Sequence, residues 1–350
     1  MPWWTLAAPV LGGAIWVGAA YGLGGYFVIL IGLGLAGSVF AAVHHAEIVA
    51  LRVGEPYGTL VLALAVTLIE VALIASVMIA GGPGSESLAR DTVFAAVMII
   101  LNGIIGLSLL VGGLRYREQV FSLEGASAAQ LALATIVVMT LVFPNYTVAI
   151  PGPFYSPGQL ALVAIVSVVV YGAFIFTQTV AHRPFFLEGE PSAAPLPPSN
   201  RLAAASAFLL LLCLTTVVAL AHSLAPQLEA AVTRFGAPNA VVGVIIAGIV
   251  LLPEGLAALS AARRNRLQTS LNLALGSALA SIGLTIPAIS LLSLVTGSRL
   301  VLGIDSESTV LLMLSLFAMT LVLRTGRTII LHGVVLLVIF AIYLFTAVVP

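Results

Sequence analysis

Apolar runs of membrane-crossing length follow one another almost without pause from Trp3 to Val348. Roughly 18 or more consecutive apolar residues suffice for a helix to cross the hydrocarbon of a bilayer. Eleven spans can be placed, at 3–21, 24–43, 58–80, 92–114, 127–149, 159–180, 203–225, 239–262, 268–295, 308–323 and 328–348, the tenth short and the ninth long. With 61% of its residues hydrophobic and 7% charged, against about a quarter charged in soluble domains, the chain reads as an all-α polytopic membrane protein. The first run lacks a basic leading region and a small-residue cleavage pattern, so a retained helix is expected there and not a signal peptide. The one cysteine, Cys213, lies inside an apolar span, which excludes a disulfide framework and a cysteine metal site.

All thirteen basic residues are arginines, and they segregate. Connections after even-numbered spans hold Arg52, Arg115, Arg117, Arg183, Arg201, Arg263, Arg264, Arg266, Arg324 and Arg327; the other side holds Arg90, Arg234 and Arg299. The excess of positive charge on the inner side of bacterial membranes then places the N-terminus and the even connections in the cytoplasm and the C-terminus outside. The expected location is the inner (cell) membrane of a bacterium.

The longest polar interruption, "HRPFFLEGEPSAAPLPPSNR" at 182–201, is rich in proline and serine and reads as a cytoplasmic linker. On either side of it a pattern repeats. "EIVALRVGEP" at 47–56 and "EAAVTRFGAP" at 229–238 share Glu, Arg, Gly and Pro in register. An odd number of spans, five, separates the copies, so the two halves are expected to be inverted across the membrane, an arrangement common in secondary transporters with a midplane site. The division that follows is an additional first helix at 1–22, a first repeat of five helices at 23–181, a linker at 182–202 and a second repeat of five helices at 203–350.

Each copy leads into a span with one acid near its middle, Glu70 in "AVTLIEVALIAS" and Glu254 in "GIVLLPEGLAAL", and no arginine shares their depth. A charged acid there costs roughly 3 kcal/mol or more unless it faces the interior and has a partner. Two acids without a basic partner call for a cation, or for protons, since desolvation and a like charge both favour the protonated form. A site that holds either protons or a cation, and is costly to leave empty, makes the two compete; with alternating access, competition becomes exchange. Pro253, just before Glu254, removes a helical hydrogen bond and displaces carbonyls near Ile249 and Val250, and hard cations take such oxygens. Ser270, Ser277, Ser281 and Thr285 share one face of the ninth span, where they either line a cation path or pack closely against a neighbour; the corresponding span of the first half carries Asn102 and Ser108. His44, His45 and Glu47 form a candidate proton relay at the cytoplasmic mouth. No phosphate loop or dinucleotide fingerprint is present, so ATP-driven transport has no support. No cofactor and no nucleic-acid partner are expected, and oligomeric state stays open.

The stretches "HHAEIVALRVGEPYGTLVLALAVTLIEVALI", "RDTVFAAVMIILNGIIGLSLLVGG", "LLPEGLAAL" and "NRLQTSLNLALGSALASIGLTIP" closely resemble the ChaA-type calcium/cation-proton antiporters of bacteria, part of the calcium/cation antiporter superfamily. The likeness spans about residues 40–345. It implies a ten-helix exchanger core with one additional helix, two inverted repeats, and a central site with one acid per repeat, which fall on Glu70 and Glu254. Proton-coupled calcium exchangers of the superfamily usually carry Gly-Asn-x-x-Glu in each repeat. Here Val66-Thr67 and Val250-Leu251 stand in those places, so the expected cargo is Ca2+, with Na+ or K+ also in play and Thr67 a candidate lining residue. The competing class is a membrane-embedded enzyme, such as an intramembrane protease using Ser277 or Ser281 with a histidine; no histidine sits at their depth in the sequence.

Overall fold

A computed structural model describes residues 1–21, 27–54, 57–80, 85–187, 197–234, 236, 238 and 240–349, with the side chains of 59, 60, 76–80, 85, 225, 229, 231, 233 and 234 left aside. Pro56 of the repeated pattern, the side chains of Glu229 and Arg234, and residues 188–196 of the linker thus lie outside the described residues. The α-helices are α1 (Trp3–Ala20), α2 (Phe27–Val53), α3 (Tyr57–Ala80), α4 (Ser85–Met98), α5 (Ile105–Tyr116), α6 (Leu123–Val137), α7 (Pro157–Phe176), α8 (Asn200–Arg234), α9 (Ala240–Arg263), α10 (Leu267–Thr296), α11 (Ser306–Leu323) and α12 (Ile330–Val348). A π-helical segment, Ile99–Ile104, joins α4 to α5 as one rod, and two short strands, β1 (Gln119–Val120) and β2 (Arg327–Thr328), pair antiparallel. Among the described residues ten helices are long and apolar enough to cross a membrane, and α3, apolar over Val61–Ala75, falls on the remaining expected span.

Helices and spans disagree most where a helix leaves the apolar region. The span expected at 24–43 is the helix Phe27–Val53, and that expected at 203–225 is Asn200–Arg234. Arg52 and Arg234, expected in loops, belong to the last turns of α2 and α8. A hydropathy reading stops at the first polar residues, whereas "HHAEIVALR" keeps good helix formers and carries the helix on. Both extensions end in the same way: Gly54 and Gly236, matched glycines of the repeated pattern, have φ of +79° and +68°, a left-handed conformation that terminates a helix and that side chains disfavour.

The chain forms two compact units, Met1–Leu88 with Ala194–Pro253 and Ala89–Ala193 with Glu254–Pro350. It crosses from one to the other inside α4 and inside α9, the latter between Pro253 and Glu254. In the first unit α2 packs against α1, α3 and α8, burying Ile31, Leu35, Val39, Leu73, Val217 and Leu220. A void of about 10 Å³ among Leu35, Leu73, Leu224, Leu228, Ile246 and Ile249 has an apolar lining; it has room for one water at most and gives it no polar partner.

In the second unit α10 lies against α6 and α7, and α12 against α5. Gly333 makes the latter approach feasible: a Cβ there would fall 2.4 Å from Leu110 N, the close backbone packing that small residues allow between membrane helices. Connections after the fourth, sixth, eighth and tenth expected spans meet at one end of this unit. Tyr116 Oη donates to Arg263 O (2.8 Å), Gln119 Nε2 to Ala262 O (3.1 Å), Ser122 N to Gln268 Oε1 (2.7 Å) and Asn272 Nδ2 to Phe186 O (2.5 Å), while β1 pairs with β2. At the other end Arg90 pairs with Asp91 (2.7 Å) and donates to Gly303 O (3.1 Å), Asn145 Nδ2 donates to Ile304 O (2.6 Å), and Leu302 N donates to Pro153 O (3.2 Å). Within this unit the even connections share one end and the odd connections the other, as alternate crossings require.

Candidate cation and proton site

The first unit carries Glu70. It lies thirteen residues into α3, which begins at Tyr57, and is 3% exposed. Thr67 precedes it by one turn on the same helix face. Threonines in apolar helices usually give their hydroxyl proton to the carbonyl four residues back, as the buried Thr140 does to Ile136 O (2.7 Å) and the half-buried Thr179 to Ile175 O (2.6 Å). Thr67 Oγ1 is buried and has no hydrogen-bond partner among the described residues, so an oxygen is left over beside Glu70.

The second unit carries Glu254, fourteen residues beyond the α9 start at Ala240 and half-buried, with its Oε2 shut off from solvent. Glu70 and Glu254 therefore sit within one residue of the same depth along their helices. The helix runs on through the buried Pro253; with no N–H on Pro253, the Ile249 carbonyl loses its usual donor. Immediately past the acid, a Cβ on Gly255 would lie 3.2 Å from Ile104 Cδ1. Glu254 thus adjoins the π-helical segment, which contains the fully buried Asn102. Interruptions of this kind inside helices recur at functional sites because they break the register of side chains.

On α10, Ser270, Ser281 and Thr285 are buried and Ser277 is half-buried. The stripe expected from spacing is thus mostly turned inward, on a helix packed against α6 and α7. Among the described residues no three His, Cys, Asp or Glu come together.

The histidine pair lies elsewhere in the first unit. His45 is fully buried, with Nε2 3.3 Å from Thr5 O, and the ring of His44 lies 5.7 Å from those of Trp4 and His45. Both rings are covered by the start of α1. Glu47 faces outward and is exposed.

Sequence reasoning missed Ser315, which accepts a hydrogen bond from Asn102 Nδ2 at 2.9 Å, and Met98, which lies 3.7 Å from the same nitrogen. The one available signal was a lone serine in the apolar run "LLMLSLFAM".

Comparison with known proteins bears on the family and the fold. The family model described as sodium/calcium exchanger protein matches residues 23–180 and 205–349, leaving out α1 and the linker. A Sinorhizobium fredii protein described as a candidate ionic transporter, y4hA, is 51% identical over 90% of this chain and 87% of its own length. The sodium-potassium/proton antiporter ChaA of Escherichia coli is 37% identical over 90% of this chain and 86% of its own. Among solved structures, the Ca2+/H+ antiporter protein YfkE superposes with a TM-score of 0.76 at 16% identity, covering 99% of both chains. With the family model matched across both halves and the fold shared along the full length, this chain belongs to the sodium/calcium exchanger protein family.

Proposed function

We propose that this protein is a secondary active antiporter that exchanges cations for protons across the inner membrane of a bacterium, with Glu70 and Glu254 holding protons and cation in turn. The observation that carries the reading is the matched pair of acids, each half-way along an apolar helix, one in each compact unit. Family membership and named relatives agree: the two most informative are a sodium-potassium/proton antiporter and a Ca2+/H+ antiporter. They also set aside the membrane-embedded protease, since the family consists of transporters.

The cargo is Ca2+, with Na+ and K+ accepted as well. Two carboxylates match the charge of one Ca2+ or two protons, but Ca2+ wants six to eight oxygens. Glu70, Glu254, Thr67, Asn102, Ser277, Ser281 and the Ile249 carbonyl supply these only with help from water. The residues Thr67 and Leu251, where related calcium exchangers carry asparagine, make the cage poorer and the selectivity broader. Two inverted five-helix repeats support the alternating access; the matched left-handed glycines, Gly54 and Gly236, favour that division.

The deciding experiment is proton flux in proteoliposomes of the pure protein, driven separately by Ca2+, Na+ and K+ across neutral and alkaline pH. All three ions should drive proton movement, more strongly as pH rises and protons compete less. A response to Ca2+ alone, flat in pH, contradicts the selectivity; no response to any ion contradicts antiport. For orientation, a reporter fused after Pro350 should be active only outside the cytoplasm. Cytoplasmic activity reverses the assignment.

A further inference from the structure

Asn102 is fully buried in the π-helical segment, and its side-chain amide is held from one side only. Nδ2 donates to Ser315 Oγ on α11 at 2.9 Å and lies 3.7 Å from Met98 Sδ. Oδ1 is buried and has no hydrogen-bond partner among the described residues.

Which end of an amide faces a neighbour depends on what that neighbour can offer. Ser315 Oγ lies 2.7 Å from Leu311 O, the carbonyl one turn back on α11. A serine hydroxyl has one proton, and here it is taken by that carbonyl, so Ser315 turns a lone pair toward Asn102. Met98 Sδ is likewise an acceptor. Two acceptors on one side demand the NH2 group there, and the carbonyl oxygen is thereby aimed away from both. The same segment adjoins α9 just past Glu254, through Ile104 and Gly255.

We propose that Ser315 is a positioning residue for cation binding: by accepting a hydrogen bond from Asn102 Nδ2 it fixes the amide so that Oδ1, and not the NH2 group, is presented to the passing cation. This rests on the reading that Asn102 lines the cation path. Without the serine only the weak acceptor Met98 Sδ holds the NH2 group in place, so the flipped orientation becomes accessible, and with NH2 forward it presents partial positive charge to a cation. The loss falls on cation affinity and not on the rate at saturation.

The test is a double-mutant cycle read out by cation-driven proton flux with Ca2+ and with Na+, and independently by the thermal stabilisation each ion gives the purified protein. Ser315→Ala should raise the KM for cation by about tenfold with the maximal rate little changed, and should need correspondingly more ion for the same thermal shift. Ser315→Thr keeps the hydroxyl and should restore the wild-type KM. In an Asn102→Asp background the two side-chain oxygens are equivalent, so adding Ser315→Ala should leave KM where Asn102→Asp alone puts it. Ser315→Ala acting equally in both backgrounds, or lowering only the maximal rate, overturns the proposal while leaving Asn102 in the path. Asn102→Ala with wild-type exchange overturns the path reading itself, and the proposal with it.

Discussion

The two acid-bearing helices are each followed by a long rod, and the two rods differ. After α3 comes α4 to α5, broken by the π-helical segment Ile99–Ile104 with the buried amide of Asn102 in it; after α9 comes α10, α-helix over Leu267–Thr296, with hydroxyls at Ser277, Ser281 and Thr285 and its amides, Gln268 and Asn272, near its start. The acid-bearing helices differ in the opposite sense. Glu70 has the hydroxyl of Thr67 one turn before it, whereas Glu254 has Leu251 in that place and relies on the carbonyl released by Pro253. In the proposed site each half would contribute one carboxylate and a few neutral oxygens, from different sources. An amide carbonyl, with its larger dipole, holds a cation more firmly than a hydroxyl, so the proposed contributions are alike in plan and unlike in strength.

The largest test of this comparison removes the charge from each half in turn. A neutral amide cannot alternate between a proton and a cation, so Glu70→Gln and Glu254→Gln should each abolish measurable proton-coupled flux while the protein still purifies as a folded species. Substantial flux in one of them would break the equivalence of the two acids.

Next in size is the contrast between neutral ligands. Asn102→Ala should raise the cation KM by about tenfold and Ser281→Ala by only about two- to threefold, in line with the stronger bonds made by the more polar group; equal effects in the same flux assay would erase the asymmetry. Thr67→Asn, which places the calcium exchangers' residue beside Glu70, should shift the ratio of Ca2+-driven to Na+-driven flux a few-fold toward Ca2+. An unchanged ratio would mean that this half does not set selectivity. The smallest effect belongs to Glu47→Gln: the residue is exposed, and a charge in contact with water contributes little, so flux should stay within about twofold of wild type. A larger loss would support the proton relay with His44 and His45.

Much of this architecture is written locally. Glu70 and Glu254 stand out because an acid in an apolar run is costly wherever the helix ends up, and the membrane sets helix length independently of tertiary packing. The extension of α2 to Val53 was hidden because hydropathy reports where the bilayer ends and not where the backbone stops being helical. The π-helical turn was hidden as well: "IILNGI" has no composition that separates it from regular helix. Ser315 could be noticed as polar, but its partner is 213 residues away, and single-chain periodicity carries no information across such a separation. The units themselves are equally illegible, since each is assembled from segments drawn from both halves of the chain.

The hydrogen bonds that join the even connections of the second unit bear on how the protein is made. Gln119 leaves the ribosome early, yet the carbonyl it binds belongs to Ala262, and β1 beside it must wait for β2 at Arg327–Thr328. Insertion into the bilayer proceeds helix by helix as synthesis advances; closure of this end cannot. The bonds to Arg263, Ala262 and Gln268 can form once α10 has begun, but β1 has no strand to pair with until Arg327–Thr328 have been translated, so this end is completed only by the tenth connection.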